Sequence, residues 1–283
     1  MKWIDLLNTN IRNCDIRRLM KKYSSMDLLL SNFSKLSDDM KREIENCKSY
    51  NIDEDVRVIS YFDDEYPEYL RNLKDFPTFL FLKGKRLDES LKVAVVGTRK
   101  NTKLGELTCK KIIKGLSDYD ITIVSGMARG IDSIAHKSAI EYGMNTIAIL
   151  PTDIFSCYPI ENMKLKEYIS CNGTVVSEFK PNTKLTKANF VIRNRLIAGL
   201  SRLVYIPESY ISGGSLITAK FANMYNKEIY TSPADIFNKS FEGCNELIAK
   251  NIAKLVRSSD DIAYEYGWRK KSEKISSNSW ITV

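Results

Sequence analysis

The first group of residues that could bind an anion is the turn Gly97-Thr98-Arg99-Lys100, which follows a short apolar run. Gly97 permits a tight turn, and a helix beginning shortly after it would present unpaired backbone N–H groups and the positive end of its dipole. Arg99 can donate two parallel hydrogen bonds to a phosphate, although the same guanidinium could instead pair with an acid. The turn therefore predicts a phosphate-binding site.

A second turn places Arg129 between two glycines, Gly126 and Gly130. This composition again predicts a basic turn that is rich in free N–H groups and lies beside the first one. Asp132 is most simply explained as a helix cap, and His136 lies one helical turn after it. The two side chains could form an Asp–His general base, but a histidine satisfied within the core is the simpler interpretation.

The segment that begins at Lys187 combines an aromatic side chain with several cations. Phe190 lies three residues after Lys187, and Arg193 and Arg195 add two positive charges near the start of the same predicted helix. An aromatic ring among cations is typical of a surface on which nucleobases stack beside a phosphate backbone. Phe190 could equally be a core residue, and the residues alone leave both interpretations open.

A fourth glycine-rich turn, Gly213-Gly214-Ser215, precedes another predicted helix. Its spacing does not match the GxxxxGK[ST] pattern of a P-loop, so it is an additional candidate anion-binding turn. Several such turns at one edge of a sheet exceed what a mononucleotide needs. They favour a polyanion that crosses the whole edge, and we expect no catalytic residue, cofactor or metal there.

These turns must be positioned by a regular series of strands. Six apolar runs rich in β-branched residues alternate with amphipathic helical stretches, which predicts a doubly wound, mostly parallel sheet of the α/β class. In such a sheet, ligands bind at the C-terminal ends of the strands, where the four turns would meet. The six runs are Val93–Val96, Ile121–Val124, Thr146–Leu150, Thr174–Val176, Leu203–Ile206 and Glu228–Thr231.

The rest of the chain suggests a division into three parts. Residues 1–52 show helical periodicity without strand signals, which predicts a small N-terminal helical module. Residues 53–266 predict one extended Rossmann-like domain, which begins with two further strand-like runs, Val56–Ser60 and Thr78–Leu82. Residues 267–283 predict a polar C-terminal tail.

The composition limits the classes of function. Lysine and arginine number 43 against 35 acids, and the net charge of +8 favours an anionic partner but also fits an ordinary basic soluble protein. The single histidine argues against an imidazole-based metal site, and six scattered cysteines without a CxxC pair indicate a reducing compartment. No apolar stretch approaches the roughly 18 residues of a membrane span. Because the N-terminus also lacks a secretion signal, we expect a cytoplasmic protein without membrane contact.

The chain strongly resembles the DNA-processing protein A family (DprA, also called Smf), whose motifs occur in the family's order over about residues 60–256. Any one motif is moderate evidence, whereas the ordered set is highly specific. The matching motifs are Gly97-Thr98-Arg99, Ser125-Gly126-Met127-Ala128-Arg129-Gly130-Ile131-Asp132 with Ala135-His136, Tyr158-Pro159 with Glu161-Asn162, Ser177-Glu178, Arg193-Asn194-Arg195-Leu196-Ile197-Ala198-Gly199-Leu200-Ser201, Ser215-Leu216-Ile217-Thr218-Ala219 and Gly243-Cys244-Asn245-Glu246-Leu247-Ile248.

The resemblance implies an extended Rossmann-like fold that binds single-stranded DNA without sequence preference. It also implies a homodimer that delivers strands to the RecA recombinase in natural transformation. By the same resemblance, Gly97-Thr98-Arg99 holds backbone phosphates, Lys187 contacts a phosphate and Phe190 stacks on a base. Many relatives carry a C-terminal winged-helix domain, and the residues beyond Val256 are too few to form one.

Two other classes of function must be compared with DNA binding. A Rossmann-like nucleoside-monophosphate phosphoribohydrolase would carry a Pro-Gly-Gly-x-Gly-Thr-x-x-Glu loop with a catalytic glutamate. Here the corresponding glycine turn leads into Ala219-Lys220 without an acid, which argues against hydrolysis. A dinucleotide-binding regulator is disfavoured because Arg99 stands in place of the second glycine of the GxGxxG motif that binds dinucleotides. We therefore expect a binding protein rather than an enzyme.

Overall fold

A computed structural model describes residues 1–87 and 89–273 of the chain. Its centre is a single nine-stranded sheet. The strands are β1 (Arg57–Ser60), β2 (Phe79–Gly84), β3 (Leu91–Val95), β4 (Ile121–Ser125), β5 (Thr146–Leu150), β6 (Thr174–Ser177), β7 (Leu203–Ile206), β8 (Glu228–Thr231) and β9 (Lys254–Leu255). They are arranged in the order β1-β2-β6-β5-β4-β3-β7-β8-β9.

Helices precede the sheet and connect its strands. The α-helices of the described residues are α1 (Asn13–Lys22), α2 (Met26–Ser31), α3 (Asp38–Glu45), α4 (Glu68–Arg71), α5 (Lys103–Leu116), α6 (Ile131–Glu141), α7 (Met163–Asn172), α8 (Lys187–Leu200), α9 (Ser215–Met224), α10 (Glu242–Ala249) and α11 (Ser259–Tyr266). Short 3-10 helices cover Trp3–Asn8, Phe33–Lys35, Ile160–Asn162 and Lys239–Phe241.

Within the series β6-β5-β4-β3-β7-β8-β9, every pair of adjacent strands is parallel. The six predicted runs correspond to β3 through β8, and the predicted α/β fold with a doubly wound, mostly parallel sheet is confirmed. The two earlier strand-like runs form β1 and β2. They pair antiparallel with each other, and β2 also pairs antiparallel with β6, so they extend one side of the parallel sheet.

The order of the strands reverses between β3 and β7. The chain runs outward from β3 through β4 and β5 to β6, and then returns to place β7 on the other side of β3. The loops that leave β3 and β7 therefore diverge to opposite faces of the sheet and open a crevice between them. This is the position at which doubly wound sheets bind their ligands.

Strand β3 shows how the two faces of the sheet are filled. Val93 and Val95 belong to a hydrophobic cluster on one face, which includes residues of α5, α6 and α11. Ala94 and Val96 point the opposite way into a second, larger cluster with residues of α8 and α9. Because alternate side chains of a strand face opposite ways, a strand buried on both faces needs an unbroken apolar run.

The N-terminal helices α1 to α3 pack against the antiparallel side of the sheet. Their buried side chains belong to the same hydrophobic cluster as β1 and β2. Trp3 stacks on Phe62 with 5.4 Å between ring centroids, and the Arg17 Nε–H donates a hydrogen bond of 2.7 Å to the carbonyl oxygen of Phe76. The division of the chain at residues 52 and 53 stays a prediction.

At the other end of the chain, Trp268 packs back onto the sheet domain. Its ring stacks on Tyr266 at 5.1 Å, and the Lys271 N–H donates a hydrogen bond to the carbonyl oxygen of Asp118. The predicted polar tail thus begins with packed residues, and its residues 274–283 lie outside the described part. Of the helices in residues 1–87 and 89–273, none has the length and apolar character to cross a membrane.

The two-residue strand β9 ends the sheet on the side of β8. Lys254 in this strand forms ion pairs with Glu228, at 3.0 Å, and with Glu265. Both acids come from neighbouring elements, since Glu228 begins β8 and Glu265 lies near the end of α11. The last strand is therefore short and carries a paired lysine.

Candidate nucleic-acid interface

A cleft of about 750 Å³ opens at the C-terminal ends of β3 and β7. Three of the four predicted turns or segments meet there, although they are far apart in the sequence. The predicted site residues that line the cleft are Gly97, Thr98, Arg99, Lys100, Lys187, Phe190, Gly213, Gly214 and Ser215. The second turn contributes the neighbouring residues Ala128 and Asp132, and the Arg193 side chain forms part of the wall.

Arg99 is exposed and lies over the ring of Phe190, with 4.9 Å between the guanidinium carbon and the ring centroid. Among the described residues, no carboxylate is within ion-pair distance of Arg99. Its alternative role as the partner of an acid is therefore not observed. A guanidinium held on an aromatic face keeps its N–H donors at the ring's edge available to an anion.

Phe190 is half-buried and belongs to neither hydrophobic cluster of the described residues. It meets Tyr158 edge to face, with 5.5 Å between centroids, and Tyr158 also lines the cleft. Lys187, one helical turn earlier, is exposed and begins α8. These positions place the aromatic ring at the cleft surface rather than in the core.

The turn at Gly213 and Gly214 provides backbone donors at the start of α9. Within the described residues, no hydrogen bond is formed by the N–H groups of Gly214 and Ser215, both of which line the cleft. The Ser215 hydroxyl is buried and donates to the hydroxyl of Ser209 at 2.8 Å. The turn therefore offers backbone N–H groups rather than a hydroxyl to an anion.

The helix after the first turn differs from the sequence-based expectation. Helix α5 does not present all of its first N–H groups, because the Thr102 hydroxyl accepts a hydrogen bond from the Gly105 N–H. The carboxylate of Glu208 accepts a further bond from the Thr102 N–H, at 3.0 and 3.1 Å from its two oxygens. Part of the predicted anion-binding helix terminus is thus satisfied within the protein.

Glu208 is the functional-site neighbour that the sequence did not indicate. It follows β7 and is fully buried, and its backbone carbonyl also accepts a hydrogen bond from the Thr98 N–H. The Thr98 hydroxyl accepts a bond from the Lys100 N–H. Glu208 and Thr98 together fix the loop that carries Arg99. The sequence signal for Glu208 is its position two residues after β7, which marks a residue at the ligand-binding edge.

The second predicted turn lies at a smaller pocket beside the cleft. Gly126 and Arg129 line that pocket together with Arg99 and Phe190. Gly130 has a φ of +73°, a conformation that favours glycine, and precedes α6. The exposed Arg129 side chain forms an ion pair with Glu161. Exposed pairs of this kind contribute only about 0–1 kcal/mol, so an anion can compete for Arg129.

The predictions for Arg193 and Arg195 as phosphate contacts must be corrected. Arg193 is 4% exposed, donates to the carbonyl oxygen of Gly126 and lies 3.9 Å from the carboxylate of Asp132. A Cβ atom at Gly126 would approach the Arg193 guanidinium to 2.0 Å, so this packing requires glycine. Burial raises the pKa of Asp132, while Arg193 acts in the opposite direction. Arg193 supports the wall of the cleft from behind.

Arg195 lies still further from the cleft surface. It is 8% exposed, forms an ion pair with Glu178 and donates to the carbonyl oxygen of Asp75. A buried guanidinium that is already paired is not accessible to a phosphate, and removing its partner would leave an uncompensated charge. Arg195 thus connects α8 to the segment before β2.

His136 is a core histidine. It is fully buried, and its Nδ1 lies 2.7 Å from the hydroxyl of Thr146 rather than bonding to Asp132. Burial, and next the charge of Arg193, lower the pKa of His136 to about 3. The interpretation as a structural residue agrees with this environment. The expected cap at Asp132 is found in part, since its carboxylate accepts a long 3.4 Å bond from the Ala128 N–H.

Comparison with known sequences identifies the family of the chain. Residues 57–267 match the sequence model of the family described as DNA recombination-mediator protein A, which covers the sheet domain from β1 to the end of α11. The chain belongs to this family. The resemblance to DNA-processing protein A is thereby confirmed.

Two relatives and two solved structures illustrate the membership. The chain is 40% identical to DNA processing protein DprA of Streptococcus pneumoniae over 208 residues, 73% of each chain. It is 33% identical to DprA of Bacillus subtilis over 212 residues, 74% of this chain and 71% of the relative.

The crystal structure of the S. pneumoniae DprA superposes with a TM-score of 0.72 at 32% identity, covering 93% of both chains. A DprA structure from Helicobacter pylori, described for its single-stranded DNA binding mode, has a TM-score of 0.68 at 30% identity. It covers 76% of this chain and 97% of that chain. The recombination-mediator family and its Rossmann-like fold are therefore shared by this protein.

Proposed function

We propose that this protein binds single-stranded DNA without sequence preference in the cleft at β3 and β7. The observation that carries the proposal is the convergence of Arg99, Lys187 and Phe190 on that one cleft. The name and description of the H. pylori relative, which binds single-stranded DNA, support it. We further propose that the protein acts in the cytoplasm as a homodimer and delivers strands to the RecA recombinase during DNA uptake and natural transformation.

In this proposal, the backbone phosphates contact the exposed cations Arg99, Lys100 and Lys187, and the free N–H groups at the start of α9. A nucleobase stacks on Phe190, which every base can do because every base has a π-face. None of these contacts reads the edge of a base, so the binding tolerates any sequence. Phosphate contacts release counterions, and the affinity therefore falls steeply as salt rises.

Fluorescence anisotropy with a labelled oligo-dT across a salt series tests the binding. We expect Arg99→Ala and Lys187→Ala each to weaken binding and to reduce the slope of log affinity against log salt by about 0.7. Lys114→Ala is the matched control, because Lys114 is exposed at the other end of α5 and does not line the cleft. Equal affinity for single strand and duplex, or equal effects of all three variants, would reject the proposed site.

The delivery step is tested by the assembly of RecA on single strands coated with single-strand-binding protein. We expect the wild-type protein to shorten the lag of RecA-dependent ATP hydrolysis, and Arg99→Ala with Lys187→Ala to abolish that effect. An unchanged lag would remove the delivery function while leaving strand binding in place.

The proposed homodimer is tested by light scattering, which should give a mass near twice the 32.4 kDa of one chain.

The hydrolase alternative has a direct test. The buried carboxylate of Glu208 is bonded to the Thr102 N–H, and the glycine turn itself leads into Ala219-Lys220. We therefore propose that the protein has no enzymatic activity. Incubation with nucleoside monophosphates should yield no free base, and release of base by the wild-type protein but not by Glu208→Gln would support the alternative.

A further inference from the structure

A second cleft, of about 1000 Å³, lies at the edge of the sheet where the parallel strands begin. Arg202 and Lys227 in this cleft directly precede β7 and β8, whereas the first cleft follows the C-terminal ends of β3 and β7. Tyr69 and Tyr266 form parts of its walls. The two clefts are therefore at opposite edges of the sheet, and a ligand in one does not contact the residues of the other.

Each of the two cations lies on the face of a tyrosine ring. The Lys227 ammonium is 4.3 Å from the centroid of Tyr69, and the Arg202 guanidinium carbon is 5.3 Å from the centroid of Tyr266. In the described part of the chain, neither cation is within ion-pair distance of a carboxylate. A cation–π contact holds a cation in place without neutralising its charge.

The carboxylates that line this cleft are already bound to other groups. Asp75 accepts from the Tyr225 hydroxyl at 2.9 Å and lies 3.5 Å from Arg195. Glu228 and Glu265 both pair with Lys254. Arg202 and Lys227 thus line the same cleft as like charges without a carboxylate counterion among residues 1–87 and 89–273.

The environment of Lys227 reflects this arrangement. Burial first, and the charge of Arg202 second, lower the pKa of Lys227 to about 8. Two cations brought together in a partly desolvated cleft repel each other, and an anion placed between them removes that repulsion. The arrangement has an unfavourable interaction that a ligand of the opposite charge would relieve.

We propose that this second cleft binds a phosphate group between Arg202 and Lys227. Arg202 provides planar paired donors, and Lys227 provides a point charge, which together are the usual protein groups for a phosphate. The volume exceeds that of inorganic phosphate, so the phosphate belongs to a nucleotide or to the backbone of a nucleic-acid strand. The proposal does not rest on the function of the first cleft.

The test uses the full chain with the first cleft weakened by Arg99→Gln and Lys187→Gln. Both of these side chains are exposed, so the double variant should retain its fold. Calorimetric titrations with inorganic phosphate, with thymidine monophosphate and with a short oligo-dT then report on the second cleft. We expect saturable binding, and we expect the affinity to fall at least tenfold when Lys227→Gln or Arg202→Gln is added to the double variant.

Lys137→Gln is the matched control, because Lys137 is an exposed lysine of α6 that lines neither cleft. Binding of thymidine monophosphate identifies a free nucleotide as the source of the phosphate, and binding of the oligonucleotide alone identifies a strand. The proposal is overturned if no probe binds the double variant, or if Lys227→Gln and Arg202→Gln have no more effect than Lys137→Gln. If the wild-type protein binds the probes but the Arg99→Gln, Lys187→Gln variant does not, the second site is rejected and the proposed function of the first cleft is unaffected.

Discussion

The contact between Arg99 and Phe190 joins the two kinds of side chain that a single strand requires, a cation and an aromatic ring. Arg99 has no carboxylate partner among the described residues, and both side chains are at the cleft surface. By contrast, Arg193 and Arg195 are bound to acids and carbonyl groups in the interior. Only the first pair is therefore available to a ligand.

Replacing Phe190 by Ala should weaken the binding of oligo-dT by about 1–3 kcal/mol, because one base loses its stacking partner. The free energy of unfolding should change little, since Phe190 lies outside both hydrophobic clusters. Anisotropy titration and urea denaturation measure the two quantities. Ile192→Ala, at an exposed position of the same helix that does not line the cleft, serves as the control. A large loss of stability with unchanged affinity would return Phe190 to the core.

His136 should make the protein less stable as the pH falls. Its pKa is about 3 in the folded state against an ordinary value of 6.5, so the unfolded chain binds a proton below pH 6.5 that the folded protein does not. The free energy of unfolding should then decrease by up to about 1.4 kcal/mol per pH unit between those values. Urea midpoints at pH 7, 6, 5 and 4 should fall more steeply for the wild type than for His136→Gln. Parallel curves would contradict the assignment.

At the scale of single residues, the sequence predicted the types of group but not their exposure. Arg193 and Arg195 stand in the same segment as Lys187, and nothing local distinguishes a buried arginine from an exposed one. Their partners, Asp132 at the start of α6 and Glu178 after β6, become neighbours only in the folded chain. Glu208 was not predicted as a site residue, because an ionised carboxylate is seldom fully buried without a partner. Its partner, the Thr102 N–H, lies over a hundred residues away in the sequence.

At the scale of elements, the functional loops are fixed by contacts between loops rather than by the helices that follow them. Glu208, after β7, holds the first turn of the loop that leads from β3 into α5. The strand pattern was predictable because strands buried on both faces need continuous apolar runs. The antiparallel direction of β1 and β2 was not, since an apolar run contains no information about the direction of its partner.

The contact between Glu208 and α5 can be tested at Gly105. A Cβ atom there would lie 1.7 Å from the Glu208 carboxylate, whereas a Cβ at Gly214 would meet nothing within 4 Å. Gly105→Ala should therefore displace a buried carboxylate from its donor and lower the free energy of unfolding by about 1–3 kcal/mol. Gly214→Ala, the matched control, has a helical φ of −62° and should be neutral or slightly stabilising. Chemical denaturation of both variants is the measurement, and equal stability would show that Glu208 moves aside freely.

At the scale of the whole molecule, the N-terminal helices and the sheet share one hydrophobic cluster. Tyr50 meets Phe81 of β2 edge to face with 6.4 Å between centroids, and Leu6 and Leu29 are completely buried in that cluster. The sequence indicated a helical module but not this shared core, because helical periodicity identifies an apolar face without identifying the surface that covers it.

Removal of residues 1–52 should therefore destabilise the sheet domain. We expect the fragment 53–283 to melt at a lower temperature, by about 2–4 °C for each kcal/mol of lost packing, and to associate in size-exclusion chromatography. The full chain under the same conditions is the control. A fragment that melts at the same temperature and elutes as one species would establish the N-terminal helices as an independent domain.

The short strand β9 has a consequence for how copies of this protein can associate. A long exposed edge would leave a row of unpaired backbone groups that could recruit strands from other copies and grow into fibres. Here that edge has two residues, and its lysine is engaged by two acids of the same chain. Strand pairing between copies of the protein is therefore disfavoured at the β9 edge. The protein is thereby protected from ordered aggregation at this edge.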